Sequence, residues 1–243
     1  MSGSRALQPE FLAGIDALLL DAGNTVVFLD HAAVAEIVGR EGLRVSVESL
    51  RSAESTAKRR YEAALAAGGA HEDGWSLYFV ALFGELGVED AVARALVPAL
   101  RRSHDLLNLW RRVPSGVPEA LARAQAAGLL LGIVSNSEGR LDALLAHVEL
   151  DGYFGCVVDS ALEGVRKPDA EIFRRALARL GVEASRAMYV GDLPSVDVEG
   201  ARGAGMRAAL VDPLGHYADY ADAPRVDSVT EVLDALVAAR AAR

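Results

Sequence analysis

A short apolar run, Ile15 to Asp21 (IDALLLD), closes on the polar stretch Ala22-Gly23-Asn24. A run too short for a helix and bounded by a turn predicts a strand buried on both faces, with Asp21 at its carboxyl end. From about Asp30 to Arg112 the apolar positions recur at helical intervals instead. Val47, Leu50, Ala57, Tyr61 and Leu65 fall on one face, and Ser46 stands where a helix N-cap belongs. Two more blocks, Asp73 to Leu86 and Val88 to about Trp110, read as helices, with Pro98 expected to bend or split the last. The alanine-rich stretches at Ala63 to Ala70 and at the C-terminus also read as helical. No strand is expected in this span, which predicts an all-helical insertion.

Beyond Pro114 helices and short apolar strands alternate. The helices are roughly Pro118–Ala127, Gly139–His147, Ala170–Leu180, Val196–Ala204 and Thr230–Ala239. The strands between them are Leu129–Val134, Cys156–Asp159, Ala187–Val190 and Ala208–Val211. Alternation at this spacing predicts right-handed βαβ units and a parallel sheet. The expected fold is therefore α/β, with residues 1–29 and 113–243 forming the sheet-bearing core and residues 30–112 an inserted helical domain.

Charge narrows the range of partners. Lys and Arg number 25 against 34 Asp and Glu, a formal charge of -9, and the basic residues are scattered, which argues against nucleic acid. The single cysteine, Cys156, rules out an intrachain disulfide and a multi-thiolate metal site, as a reducing compartment would permit. The first ten residues lack the apolar middle of a secretory signal, and no later run approaches the length of a membrane span. The expectation is a soluble cytoplasmic protein that does not engage membranes.

Four polar motifs fall where predicted strands end: Asp21-Ala22-Gly23-Asn24-Thr25, Ser135-Asn136, Lys167-Pro168-Asp169, and Gly191-Asp192 with Asp197. An open parallel sheet gathers its ligand site at the carboxyl ends of its strands, so these motifs are expected to converge. Carboxylates, a hydroxyl and an ammonium in one crevice suit attack by an aspartate on a phosphate or a carbon–halogen bond, with a divalent cation between the acids. Taken singly, each motif is also an ordinary turn or helix cap.

In order and with the helical insertion after the first, the four motifs resemble those of the haloacid dehalogenase-like hydrolase superfamily, over nearly the whole chain. The resemblance implies a Rossmann-like core with a C1-type helical cap placed above the catalytic edge. It implies Asp21 as a nucleophile that forms a covalent aspartyl intermediate. Ser135 would hydrogen-bond the transferring group, and Lys167 would neutralise nucleophile and phosphate. A magnesium ion would be held by Asp21, Asp192 and the Gly23 carbonyl, with Asp197 in support. Asn24, Thr25 and Asn136 would contact substrate.

One expected residue is missing. Phosphatases of this superfamily carry a general acid two residues after the nucleophile, where this chain has Gly23. The leading reading is a magnesium-dependent phosphatase acting on a small phosphorylated metabolite. A carbon-bond hydrolase stays open, either dehalogenase-like or phosphonatase-like with Lys58 as a Schiff base, as does a ligand-binding protein that has lost turnover. Phe28, His31, Trp75, Tyr78 and His104 are candidates for choosing the leaving group. The helical spacing of Trp75, Tyr78, Phe79, Leu82 and Phe83 equally fits a cap core, the two histidines fit structural roles, and Arg59 and Arg60 beside Lys58 fit a solvated face.

Overall fold

A computed structural model describes residues 7–67 and 71–242. In chain order its elements are α1 (Pro9–Leu12), β1 (Ala17–Leu20), β2 (Phe28–Leu29), α2 (His31–Arg40), α3 (Val47–Ala66), α4 (His71–Gly84), α5 (Asp90–Leu106), β3 (Trp110–Arg112), α6 (Val117–Ala126) and β4 (Leu130–Ser135). There follow α7 (Leu141–His147), β5 (Cys156–Asp159), α8 (Ser160–Glu163), α9 (Ala170–Leu180), β6 (Ala187–Gly191), a π-helical turn at Pro194–Val198, α10 (Glu199–Gly203), β7 (Arg207–Val211), β8 (Arg225–Val226) and α11 (Val229–Ala241). The chain divides into two compact units, one made of the segments up to Phe28 and from Arg112 on, the other of Leu29–Arg111.

The first unit is built on a six-stranded sheet in the order β5-β4-β1-β6-β7-β8, every pairing parallel. β1 lies inside it and is wholly buried, which is why its sequence is an uninterrupted apolar run. The chain moves outward from β1 to β4 and β5, then crosses back to β6 on the other flank. The order thus reverses beside β1, the place where open α/β sheets bind ligands. Register completes the alignment: Leu20 lies opposite both Ile133 and Val190, so Asp21, Ser135 and Asp192 emerge at one edge.

The second unit packs α2 to α5 around Leu50, Phe79, Leu82, Phe83, Leu96 and Leu100. Trp75 and Tyr78 belong to this core as well, in keeping with their helical spacing. α4 carries apolar side chains around most of its circumference and is buried accordingly. The side chain of Leu65, residues 68–70 of the alanine-rich stretch and the first six residues lie outside the described residues; α3 itself runs to Ala66.

Two expectations require correction. Pro98 does not split its helix, because α5 runs unbroken from Asp90 to Leu106. Proline removes one backbone hydrogen bond, and burial of Ala93, Leu96, Ala99 and Leu100 along one face outweighs that loss. The span from 30 to 112 is not free of strand: β3 pairs with β2 as a two-stranded sheet where the chain passes between the units. Segments of two and three residues are too short to show a period of two. The helix expected at Val196–Ala204 is present: it opens with the π-helical turn Pro194–Val198 and continues without a break as α10 to Gly203. β8, α1 and α8 are also too short to leave a periodic signal in the sequence. Among the described residues no helix is long and apolar enough to cross a membrane.

Gly132 shows how closely the centre of the sheet is packed. A methyl group there would stand 2.5 Å from Leu19 Cδ2 and 2.7 Å from Cys156 Sγ. Gly132→Ala is therefore expected to destabilise the protein by about 1–3 kcal/mol through overpacking. Urea unfolding measures this, and an unchanged midpoint would contradict the packing described.

Candidate active site

Asp21 leaves β1 into a tight loop in which the amides of Val26 and Val27 both donate to the Ala22 carbonyl at 2.9 Å. Asn24 adopts a left-handed φ of 55°, which its short polar side chain tolerates, and its amide donates to the Val27 carbonyl at 2.7 Å. Ser135 is the last residue of β4 and donates from Oγ to Asp21 Oδ1 at 2.8 Å. The next residue, Asn136, grips the backbone of Lys167: its Oδ1 accepts from the Lys167 amide at 2.8 Å and its Nδ2 donates to the Lys167 carbonyl at 3.0 Å. Asp169 then caps α9 through the Glu171 amide. Lys167 is thus held by a clamp before it and a helix start after it.

β6 delivers Gly191 and Asp192. A side chain at Gly191 would collide with the Asp197 carboxylate, so the glycine is what admits that carboxylate to the edge of the sheet. Asp197 sits in the π-helical turn, and its Oδ2 accepts from the amides of Asp192 at 3.0 Å and Leu193 at 2.9 Å.

The centre of the site is the Lys167 ammonium, 4% exposed. It donates to Asp21 Oδ1 at 2.7 Å, Asp197 Oδ1 at 2.6 Å and Tyr189 Oη at 2.9 Å. Burial alone would pull the lysine pKa down; the charges of Asp197 and then Asp21 overcome it and hold the pKa above the ordinary lysine value. Burial pushes Asp21 up to about 6, against the pull of Lys167 and with the charges of Asp197 and Asp192 adding to the rise. Burial outweighs the ammonium at Asp21, which is why its pKa stays raised while it touches Lys167. Burial also drives the Tyr189 phenol well above its usual value, so it stays protonated.

Ligand oxygens of Asp21, Asp192 and Asp197 lie within 4.8 Å of one another, all three residues buried. An all-carboxylate set of this kind suits a hard cation such as magnesium. The partners within it differ. Both Asp197 oxygens already accept from N–H groups, whereas Asp21 Oδ2 accepts no hydrogen bond from the described residues. The donor set therefore fits a cation on Asp21 and Asp192, with Asp197 fixing the loop and the lysine.

The residues read as substrate contacts fare differently from one another. The Asn136 amide is engaged at both ends with Lys167. Thr25 is 1% exposed and its Oγ1 has no hydrogen-bond partner among the described residues. The Phe28 ring lies under the Arg112 guanidinium, 5.2 Å from its centroid. In the second unit, His31 Nε2 and Tyr78 Oη both bind the Glu54 carboxylate, at 2.9 and 3.0 Å. The His104 ring accepts from the Leu109 amide, and Trp75 packs on Phe79 and His104. Lys58 is half-buried on α3. Tyr189 escaped the sequence reading because it lies in an apolar strand; the available signal was a lone hydroxyl two residues before Gly191.

A family model described as haloacid dehalogenase-like hydrolase matches residues 15–205. Among curated relatives, haloacid dehalogenase-like hydrolase domain-containing protein 3 of Xenopus laevis is 33% identical over 150 residues, 61% of this chain and 61% of the relative. Phosphoserine phosphatase of Thermus thermophilus is 39% identical over 137 residues, 53% of this chain and 50% of the relative. The chain thus spans about half to three-fifths of the length of these relatives. In fold it is similar to a HAD-hydrolase from Bacillus subtilis solved with bound magnesium, with a TM-score of 0.69 at 20% identity, covering 91% of this chain and 98% of that one.

A raised Asp21 pKa has a consequence for stability. The ordinary value is 3.8, so the folded state holds this proton more tightly than the unfolded chain, and stability from this group is lost as pH rises through about 6. Asp21→Asn can keep both hydrogen bonds on its amide oxygen without the charge. In metal-free buffer at neutral pH it is expected to melt at least about 2–4 °C higher than the native protein, with the gap closing toward pH 4. A lower melting temperature at neutral pH would contradict the charge balance described.

Proposed function

This chain belongs to the haloacid dehalogenase-like hydrolase family, and from that membership we propose that it is a magnesium-dependent phosphatase of small phosphorylated metabolites, working through a phosphoryl-Asp21 intermediate. The observation that carries the reading is the buried Lys167 ammonium shared by Asp21 and Asp197, with Ser135 on the same Asp21 oxygen. Two donors on Oδ1 orient the carboxylate and screen it from an incoming anion. The similarity to phosphoserine phosphatase of Thermus thermophilus supports phosphate over other substrates.

In this mechanism an ionised Asp21 attacks phosphorus and the alcohol or acid leaves. Ser135 turns its single O–H from Asp21 Oδ1 to the transferring group as phosphorus is attacked, and Lys167 offsets the negative charge gathered there. Asp21, Asp192 and the Gly23 carbonyl would hold the magnesium, which when bound supplies charge neutralisation on the phosphoryl oxygens. Asn136 and Asp197 position Lys167. Water then hydrolyses the aspartyl phosphate.

Gly23 decides the substrate class. With no carboxyl group there to protonate a leaving oxygen, the step lacks help worth roughly 100- to 10,000-fold. Esters whose leaving groups depart as stable anions, acyl phosphates above all, suffer least from that loss. The same glycine also favours, as a second reading, carbon-bond hydrolysis at Asp21, which needs no acid for a halide leaving group.

Acetyl phosphate and p-nitrophenyl phosphate are expected to be hydrolysed with magnesium, at least about 1,000-fold faster than by Asp21→Asn, since removing a nucleophile leaves only binding effects. Turnover of 2-haloacids with silence toward both phosphates would establish the second reading instead. Gly23→Asp is expected to raise kcat for alkyl phosphates at least about tenfold, within the range of general acid catalysis. A drop in kcat would show that position 23 does not face the leaving group.

A further inference from the structure

Side chains along β6 alternate between the two faces of the sheet, and Tyr189 falls on the face where Ile172, Phe173, Ala176 and Leu177 pack. Phenylalanine would meet the packing. A fully buried hydroxyl is tolerated only when hydrogen-bonded, and this one is bonded to the site itself. Its oxygen accepts from Lys167 Nζ at 2.9 Å, and its single O–H faces the Val134 carbonyl at 2.8 Å and, at the longer distance of 3.3 Å, Asp197 Oδ1. Phe173 fixes the ring edge-on, with centroids 4.9 Å apart at 87°.

An ammonium group has three N–H donors and no acceptor. Lys167 places them on Asp21 Oδ1, Asp197 Oδ1 and Tyr189 Oη, so each has a partner. Two of these acceptors are charged and compete for the ammonium, and Asp197 has the shorter contact. The neutral third acceptor sets how the ammonium sits between them. Val134 directly precedes Ser135, the other donor to Asp21 Oδ1. One phenol therefore ties together the strand carrying Ser135 and the lysine that share this oxygen.

We infer that Tyr189 is a positioning residue for the proposed reaction, its hydroxyl holding the Lys167 ammonium on Asp21 against the competing pull of Asp197. The inference rests on the reading of Asp21 as nucleophile. Tyr189 exchanges no proton with substrate and acts through Lys167, its contact with Asp197 Oδ1 being the longer one at 3.3 Å. Without the hydroxyl, one buried N–H loses its partner and the ammonium turns toward Asp197, leaving Asp21 less well oriented.

The test is Tyr189→Phe, assayed with acetyl phosphate and magnesium beside the native protein, Lys167→Met and the double variant. Y189F is expected to lower kcat about tenfold, the scale of one hydrogen bond to a charged group, with KM within about twofold. In the K167M background the same change is expected to alter kcat less than about twofold, because the residue acts through the lysine. Equal losses in both backgrounds, or a native kcat in Y189F, overturn the inference. A purely structural role would lower the melting temperature and leave that coupling at zero. A crystal structure of Y189F judges the positioning independently of turnover: the Lys167–Asp21 contact is expected to lengthen while Lys167–Asp197 persists, and two unchanged contacts refute it. If the native protein hydrolyses no phosphate, the phosphatase reading fails while the crystal structure still decides the role of Tyr189. Should Y189F not fold, Tyr189→Met fills similar volume without the hydroxyl and carries the same expectations.

Discussion

A single buried ammonium between two buried carboxylates governs the site. Lys167 binds Asp21 and Asp197 at 2.7 and 2.6 Å where little water reaches. Two acids this close, with Asp192 beside them, would repel one another strongly without an intervening cation. The lysine offsets part of that repulsion, and burial still leaves Asp21 with a pKa of about 6. At neutral pH the carboxylate is thus ionised but under electrostatic stress, a condition that a metal ion bound beside it would relieve. The site holds buried charge at the expense of stability.

The sheet makes this arrangement possible. Reversal of strand order beside β1 brings three strand ends together, and the parallel register sets Asp21 level with the ends of β4 and β6. Details of backbone do the rest. Gly191 has no side chain where the Asp197 carboxylate lies, two amides hold that carboxylate, and the Asn136 amide holds the lysine by its backbone. Charged side chains are placed here by neutral neighbours whose own conformations are fixed by hydrogen bonds.

Much of this was legible in the sequence because the strands of a buried parallel sheet are short apolar runs, and the motifs sit at their ends. Asp21, Ser135, Lys167, Asp192 and Asp197 are polar groups just past such runs, and the structure brings them together. Asn136 was legible as a site residue but not in its partner, since a clamp on a backbone 31 residues away leaves no spacing signature. Tyr189 was hidden because a tyrosine in a strand looks like core, which most of its surface is. Local propensity at Pro98 alone favours a broken helix, and tertiary burial keeps α5 unbroken, while β2 and β3 are too short to carry any pattern.

Asp21 as a covalent nucleophile is the claim on which the chemistry depends, and acid-quench mass spectrometry tests it directly. The protein is mixed with acetyl phosphate and magnesium, quenched within a turnover, digested and mapped for the phosphorylated residue. The expected result is a phosphoryl group on Asp21 that disappears when the acetyl phosphate is exhausted before the quench. Steady hydrolysis with no modified peptide, or with the phosphoryl group on another residue, would contradict it.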